Sequence, residues 1–189
     1  MIKVNKRNLT IIEKELEFYD FKELSPKKQK QWLVRFKDSV DEITYSDLQF
    51  GGDENKYKEK EKILLELLHE LFMSFEDEYC IIKNSEERWV MDTLLSDELK
   101  CILENNQILK GFTSAIFVKK NHRIVKLFAE SVFRYNSFVQ FIFRDERIVI
   151  SPSDHLDIFI ASDNLKVLEK KILECMGDCK EELLEVIER

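Results

Sequence analysis

Side chains alternate along a strand, so a histidine and an aspartate two residues apart share one face. His155 and Asp157 have that spacing in Asp154-His-Leu-Asp-Ile-Phe-Ile160, and Gln140 and Arg144 share a face of an earlier apolar run. If the two faces coincide, Arg144, His155 and Asp157 form a polar cluster suited to a small molecule or a partner contact. General acid–base work would need more, namely a histidine oriented by a second group inside a cleft. The competing reading is the solvated face of an antiparallel sheet buried on one side.

A second cluster is basic. Lys119, Lys120, His122 and Arg123 are followed by Lys126 at the start of an expected helix. A helix N-terminus carries partial positive charge, and neighbouring cations add to it, so a phosphate or carboxylate could be held there. A nucleic-acid site would also want exposed aromatic groups for base stacking. Tyr135 is the candidate for that role by sequence. Scattered lysines in a solvated loop are the plainer explanation.

Cys175 and Cys179 lie on one face of a helix at i and i+4. Zinc would require two further ligands. His69, His122 and His155 are isolated, and there is no CxxC or HxxxH, so no metal is expected. GxGxxG, Walker A, GxSxG and HExxH motifs are also missing. With 4 glycines in the chain, a glycine-rich phosphate cradle has little to be built from. No cofactor is expected, and an enzyme is disfavoured.

The elements that must position these groups follow from periodicity. Phe138 to Ser162 reads as three strands joined by short turns, an antiparallel meander. Leu156, Ile158 and Ile160 should face the core there. Helices flank the meander: one from Asn121 or His122 to about Tyr135, and one from Leu165 past Cys175 that bends or ends at Gly177. Earlier, Asp53 follows Gly51-Gly52 and should cap a helix from Glu54 to about Phe75. A short strand is expected at Tyr79 to Ile82. Ser85 should start a helix in two pieces, the second capped by Ser96, with Gly111 as a stop. Another strand is expected at Thr113 to Val118. Near the N-terminus, Asn8 to Tyr19 reads as a helix with a Thr10–Glu13 capping box. Ser25-Pro26 reads as the start of a second helix reaching Val40, with Trp32, Leu33, Phe36 and Val40 on one face.

These elements give an α+β fold. A mainly helical N-terminal part packs on a C-terminal unit with an antiparallel three- to four-stranded sheet, in the order α-β-α-β-β-β-α from Ser85. A seam near Gly51-Gly52 divides residues 1–50, an N-terminal helical segment, from an α+β domain at 53–189, unless the two are one continuous domain.

Composition bounds the function. A chain of 189 residues that is 44% hydrophobic and 35% charged is a folded globular protein. No apolar run is long enough for a signal peptide or a membrane helix, so a cytoplasmic protein without membrane contact is expected. The net charge of −7 disfavours nonspecific nucleic-acid binding and suits a basic protein partner. An acidic, Lys/Glu/Phe-rich small chain without catalytic motifs resembles, as a class and through no specific motif, bacterial toxin-immunity and phage-defence (antiviral) accessory proteins. The expectation is a non-enzymatic protein-binding protein: an inhibitor or immunity protein, or an accessory subunit of a defence complex. It would use an acidic helical surface or the open face and edge of the sheet. The alternatives are a nucleic-acid-binding accessory subunit using Lys119, Lys120, Arg123 and Lys126, and a small enzyme or ligand-binding module using Arg144, His155 and Asp157. A homo-oligomer is compatible with each.

Overall fold

The computed structural model describes residues 1–3, 6–20, 23, 25–27, 29–38, 44–84, 96–108, 115–119, 121–135, 138–163 and 165–189. In chain order the strands are β1 (Ile2–Lys3), β2 (Tyr19–Asp20), β3 (Ser25–Pro26), β4 (Lys30–Phe36), β5 (Tyr79–Asn84), β6 (Ala115–Lys119), β7 (Val139–Phe143), β8 (Ile148–Ser153), β9 (Asp157–Ser162) and β10 (Leu184–Glu188). The helices are α1 (Lys6–Glu15), α2 (Glu54–Ser74), α3 (Asp97–Asn105), α4 (His122–Tyr135) and α5 (Leu165–Glu181), with a 3-10 turn at Tyr45–Phe50. Eight strands form one sheet in the order β1-β6-β5-β7-β8-β9-β4-β10, and β2 pairs with β3 separately. Every neighbouring pair in the large sheet is antiparallel.

Alternation on the strands decides which residues meet the helices. Trp32, Val34 and Phe36 of β4, Phe141 and Phe143 of β7, and Ile158 and Ile160 of β9 face a helical layer. In that layer α2 lies between α4 and α5, with α3 beside α4. Asp53 caps α2 as its side chain accepts from the Asn55 and Lys56 N–H groups, and Ser96 caps α3 through the Leu99 N–H. The helix face Leu64, Leu67, Leu68 and Leu71 is fully buried, and Phe72 meets Phe141 edge-on at 5.0 Å. The opposite sheet face is covered in its middle by α1 and the β2–β3 segment. Ile12, Leu16, Phe18 and Tyr19 pack there on Ile81, Ala115, Ile142, Val149 and Ala161.

The meander β7-β8-β9 forms as expected, with Leu156, Ile158 and Ile160 buried against the helices. Its second hairpin closes through the Leu156 N–H donating to the Ser153 carbonyl at 3.2 Å, which puts Leu156 at φ 54°. A left-handed leucine costs about 1–2 kcal/mol. Burying its side chain contributes about 1.5–3 kcal/mol, which offsets that. Ser151-Pro152-Ser153 is the end of β8. The β7–β8 ladder runs through Phe141–Ile150 and stops short of Pro152, which has no N–H to donate.

Three expectations are corrected. First, the sheet has eight strands, not three or four, and the N-terminal part is not mainly helical, because β1 and β4 join the same sheet as the meander. Second, Ser25 does not start a helix. Ser25–Pro26 is a short strand against Tyr19–Asp20, and Lys30–Phe36 is β4, held between β9 and β10. Leu33 is buried on the opposite side from Trp32, Val34 and Phe36, and a run buried on both faces does not show strand alternation. Third, α1 spans Lys6–Glu15, so Thr10 lies inside it rather than at its cap. The chain leaves the helix because Phe18 and Tyr19 are drawn down onto the sheet, where the Tyr19 hydroxyl donates to Gln140 Oε1. The expected helix at 86–95, the Gly111 stop and Val40 lie outside the described residues.

Candidate functional site

The residues singled out by sequence do not converge. Arg144 and Asp157 are on the same sheet face but at opposite ends of the meander. Asp157 pairs with Ser153, while Arg144 sits just past the Phe143–Ile148 pair in the other hairpin loop. At about 3.4 Å per residue the two are about 20 Å apart along the strands. His155 is not on β9. It lies in the Asp154–Leu156 loop, exposed, with its N–H donating to Ser153 Oγ at 3.2 Å. Its imidazole is 3.9 Å from Asp154 and contributes to the field that lowers the Asp47 carboxyl, chiefly set by hydrogen bonds from Thr44.

The basic residues are likewise separated and engaged. Arg123 bonds Glu98 at 2.6 Å and Lys126 is 3.7 Å from Glu130, both on the helical layer. Lys119 is at the end of β6, 3.2 Å from Glu78. Lys120 lies outside the described residues, as do the side chains of His122 and Cys179. The Cys175 thiol is pushed up by burial, with Glu70 adding to the effect.

Lys119 and Arg144 do share a neighbourhood. Lys119 pairs with Tyr79, and the β5–β7 register carried two residues beyond Ile81–Ile142 sets Arg144 on the other side of Tyr79. Arg144 and Tyr79, together with α1, border a cavity of about 390 Å³ floored by Ile12, Leu16, Ile81, Phe117 and Ile142. Among the described residues its lining is acidic, with Glu15, Asp77, Glu78 and Asp145 against Arg144. Arg144 bonds Asp145 at 2.8 Å and lies 3.7 Å from Glu15, and Asp77 accepts the Asp145 and Glu146 N–H groups. The arginine of this lining is thus already committed to neighbouring carboxylates.

The other end of the sheet differs. β10 pairs with β4 from Leu184–Phe36 to Glu188–Trp32, and among the described residues it has no neighbour on its other side. The Lys37 N–H donates to the Leu183 carbonyl and the Arg189 N–H to the Gln31 carbonyl, both at 2.9 Å. Residues two apart in a ladder aim their main chain the same way. Glu185 and Ile187 thus bond β4, while Leu184, Val186 and Glu188 turn their N–H and C=O groups outward. Five residues of open edge span about 17 Å.

Beside that edge runs a groove of about 390 Å³ on the helical side, lined by Trp32, Leu173, Met176, Leu184 and Val186 with Glu169, Glu181 and Glu188. Leu173 is 42% exposed and neighbouring Leu183 47%. Proteins commonly guard an edge strand with unpaired charge. Here the two carboxylates on β10 are drawn back into the sheet, Glu185 by Arg35 and Glu188 by Lys30, each at 2.7 Å. Neither remains to repel an incoming strand.

Sequence reasoning passed over β10. Its signal was present in Leu184-Glu-Val-Ile-Glu188, beyond the glycine expected to bend or end the preceding helix. The run is too short and too acidic to read as a strand without β4 beside it. No protein-family model, curated protein or solved structure matches this chain.

Proposed function

We propose that this chain is a non-enzymatic protein-binding protein that receives a segment of another protein along the β10 edge. The single observation supporting this is the row of outward main-chain groups at Leu184, Val186 and Glu188 beside an apolar groove. A strand added there gains main-chain hydrogen bonds along the edge and places alternate side chains in the groove. An inhibitor of the immunity type and an accessory subunit of a defence complex both act in this way, by occupying or bridging another protein's surface. The separation of Arg144, His155 and Asp157, and the ion pairing of Arg123 and Lys126, weigh against the enzymatic and nucleic-acid readings.

The test is comparative capture from the native host using the full chain and its Val186→Pro variant. Proline removes an N–H that points away from β4, so no bond of the native ladder is lost, and edge strands tolerate it. Leu173→Glu serves as a second variant should Val186→Pro unfold. A stoichiometric partner held by the wild type and released by folded variants is the expected result. Equal recovery with all three chains, or no partner at all, overturns the proposal.

A further inference from the structure

We infer that the occupant of the β10 edge is an extended segment of a basic partner, with an apolar side chain flanked at two-residue spacing by lysine or arginine. This rests on the edge-docking reading above and names what that edge selects. A strand laid against β10 directs every second side chain toward the helical layer. Its central groove-facing residue meets Trp32, Leu173, Met176 and Val186, and this part of the groove is apolar. The residues two before and two after it reach the rim.

The rim carries carboxylates from two of the three elements that form the groove. Glu169 and Glu181 come from α5 and Glu188 from β10, and among the described residues no lysine or arginine lines the groove. Glu188 is paired with Lys30, but no ion pair engages the side chains of Glu169 and Glu181 among the described residues. Lys170 pairs with Glu174 and Lys180 with Glu70, while Lys37 bonds the Glu181 main-chain carbonyl rather than its carboxylate. Glu169 precedes the kink of α5 at Gly177 and Glu181 follows it, and both line the groove. Side chains at i−2 and i+2 of a strand start about 14 Å apart, and the long stem of lysine or arginine extends that reach at either end.

Charge also selects between occupants. A second copy of this chain would bring its own Glu169 and Glu181 to the same groove and a further net −7 to the encounter. Like charges set against one another disfavour that pairing, and a basic segment relieves it.

The experiment uses the full chain and labelled nonapeptides with the cores Lys-Thr-Leu-Thr-Lys, Glu-Thr-Leu-Thr-Glu and Lys-Thr-Ser-Thr-Lys, read by fluorescence anisotropy at low and high salt. The first should bind about tenfold more tightly than the second, since two exposed pairs change from attraction to repulsion. Its binding should weaken with salt and with loss of the leucine. In the Glu169→Lys/Glu181→Lys variant, whose changes lie on the exposed side of α5, the preference should vanish or reverse. Peptides that bind regardless of charge, yet fail on Val186→Pro, leave the edge reading standing and overturn the basic-partner inference. No peptide binding to the wild type overturns the inference as well. A concentration-dependent dimer in sedimentation, abolished by Val186→Pro, assigns the edge to a second copy and also overturns it.

Discussion

Gly177 sets where β10 lies, and its replacement is the sharpest test of that part of the fold. Inside α5 it adopts φ 55° and ψ 174°. This is a region that only glycine occupies readily, because a Cβ collides with the residue's own backbone. A Cβ built at Gly177 meets no neighbouring atom within 4 Å, so the whole cost of Gly177→Ala is local backbone strain. That amounts to about 1–3 kcal/mol. Gly51 provides the control: it is also open to a Cβ, but at φ 92° and ψ 19° it is an ordinary left-handed helix cap. Alanine there costs about 1–2 kcal/mol, and asparagine, which tolerates that region, recovers most of it. At Gly177 asparagine should recover nothing, because ψ is far from the left-handed helical value. Denaturant unfolding measures the losses. Hydrogen exchange should localise the effect at Gly177 to the Lys37 and Arg189 amides, which tie β4 and β10 together. A Gly177→Ala change within about 0.5 kcal/mol of wild type, or rescue by asparagine equal to that at Gly51, refutes the reasoning.

Other outcomes follow from the buried polar groups. Arg134 holds Glu61, 4% exposed, through two contacts of 2.6 Å, so Arg134→Met leaves a buried carboxylate alone and should cost about 3 kcal/mol. The double variant Arg134→Met/Glu61→Leu should regain most of this in a denaturant double-mutant cycle, and a single-variant cost below about 1 kcal/mol counts against the pair. Burial raises the Tyr19 and Tyr57 hydroxyls well above their usual range, with Asp20 and Glu61 respectively adding to the effect. The folded state therefore keeps protons that the unfolded state loses above pH about 10, and stability should fall there by up to about 1.4 kcal/mol per pH unit for each tyrosine. Tyr19→Phe and Tyr57→Phe should each flatten that fall in pH-dependent unfolding, and an unchanged slope in both denies the linkage. Asp53→Ala removes the acceptor for the Asn55 and Lys56 N–H groups and should cost about 1 kcal/mol in thermal melts, with Asp53→Asn close to wild type.

Local chemistry sufficed wherever an element declares itself through its own residues. Asp53 and Ser96 cap their helices as read, because a cap bonds amides two or three residues away and needs no distant partner. The meander from Val139 to Ser162 was legible because apolar runs and short turns recur within one hairpin reach, and its α+β character followed. Lys30–Phe36 and Leu184–Glu188 were not legible. One is buried on both faces and mimics a helical stripe, and the other carries almost as much charge as apolar surface. Each becomes a strand only through a partner more than a hundred residues away. The same holds for the candidate site. Sequence spacing proposed His155, Asp157 and Arg144 as neighbours, but face alternation says nothing about position along a sheet, and the register sets them far apart. The groove at β10 is assembled from α5, β4 and β10 together. Residue types alone determined an acidic α+β chain with capped helices and an antiparallel meander. Which strand is left at the edge, and which carboxylates there stay unpaired, was decided by long-range pairing.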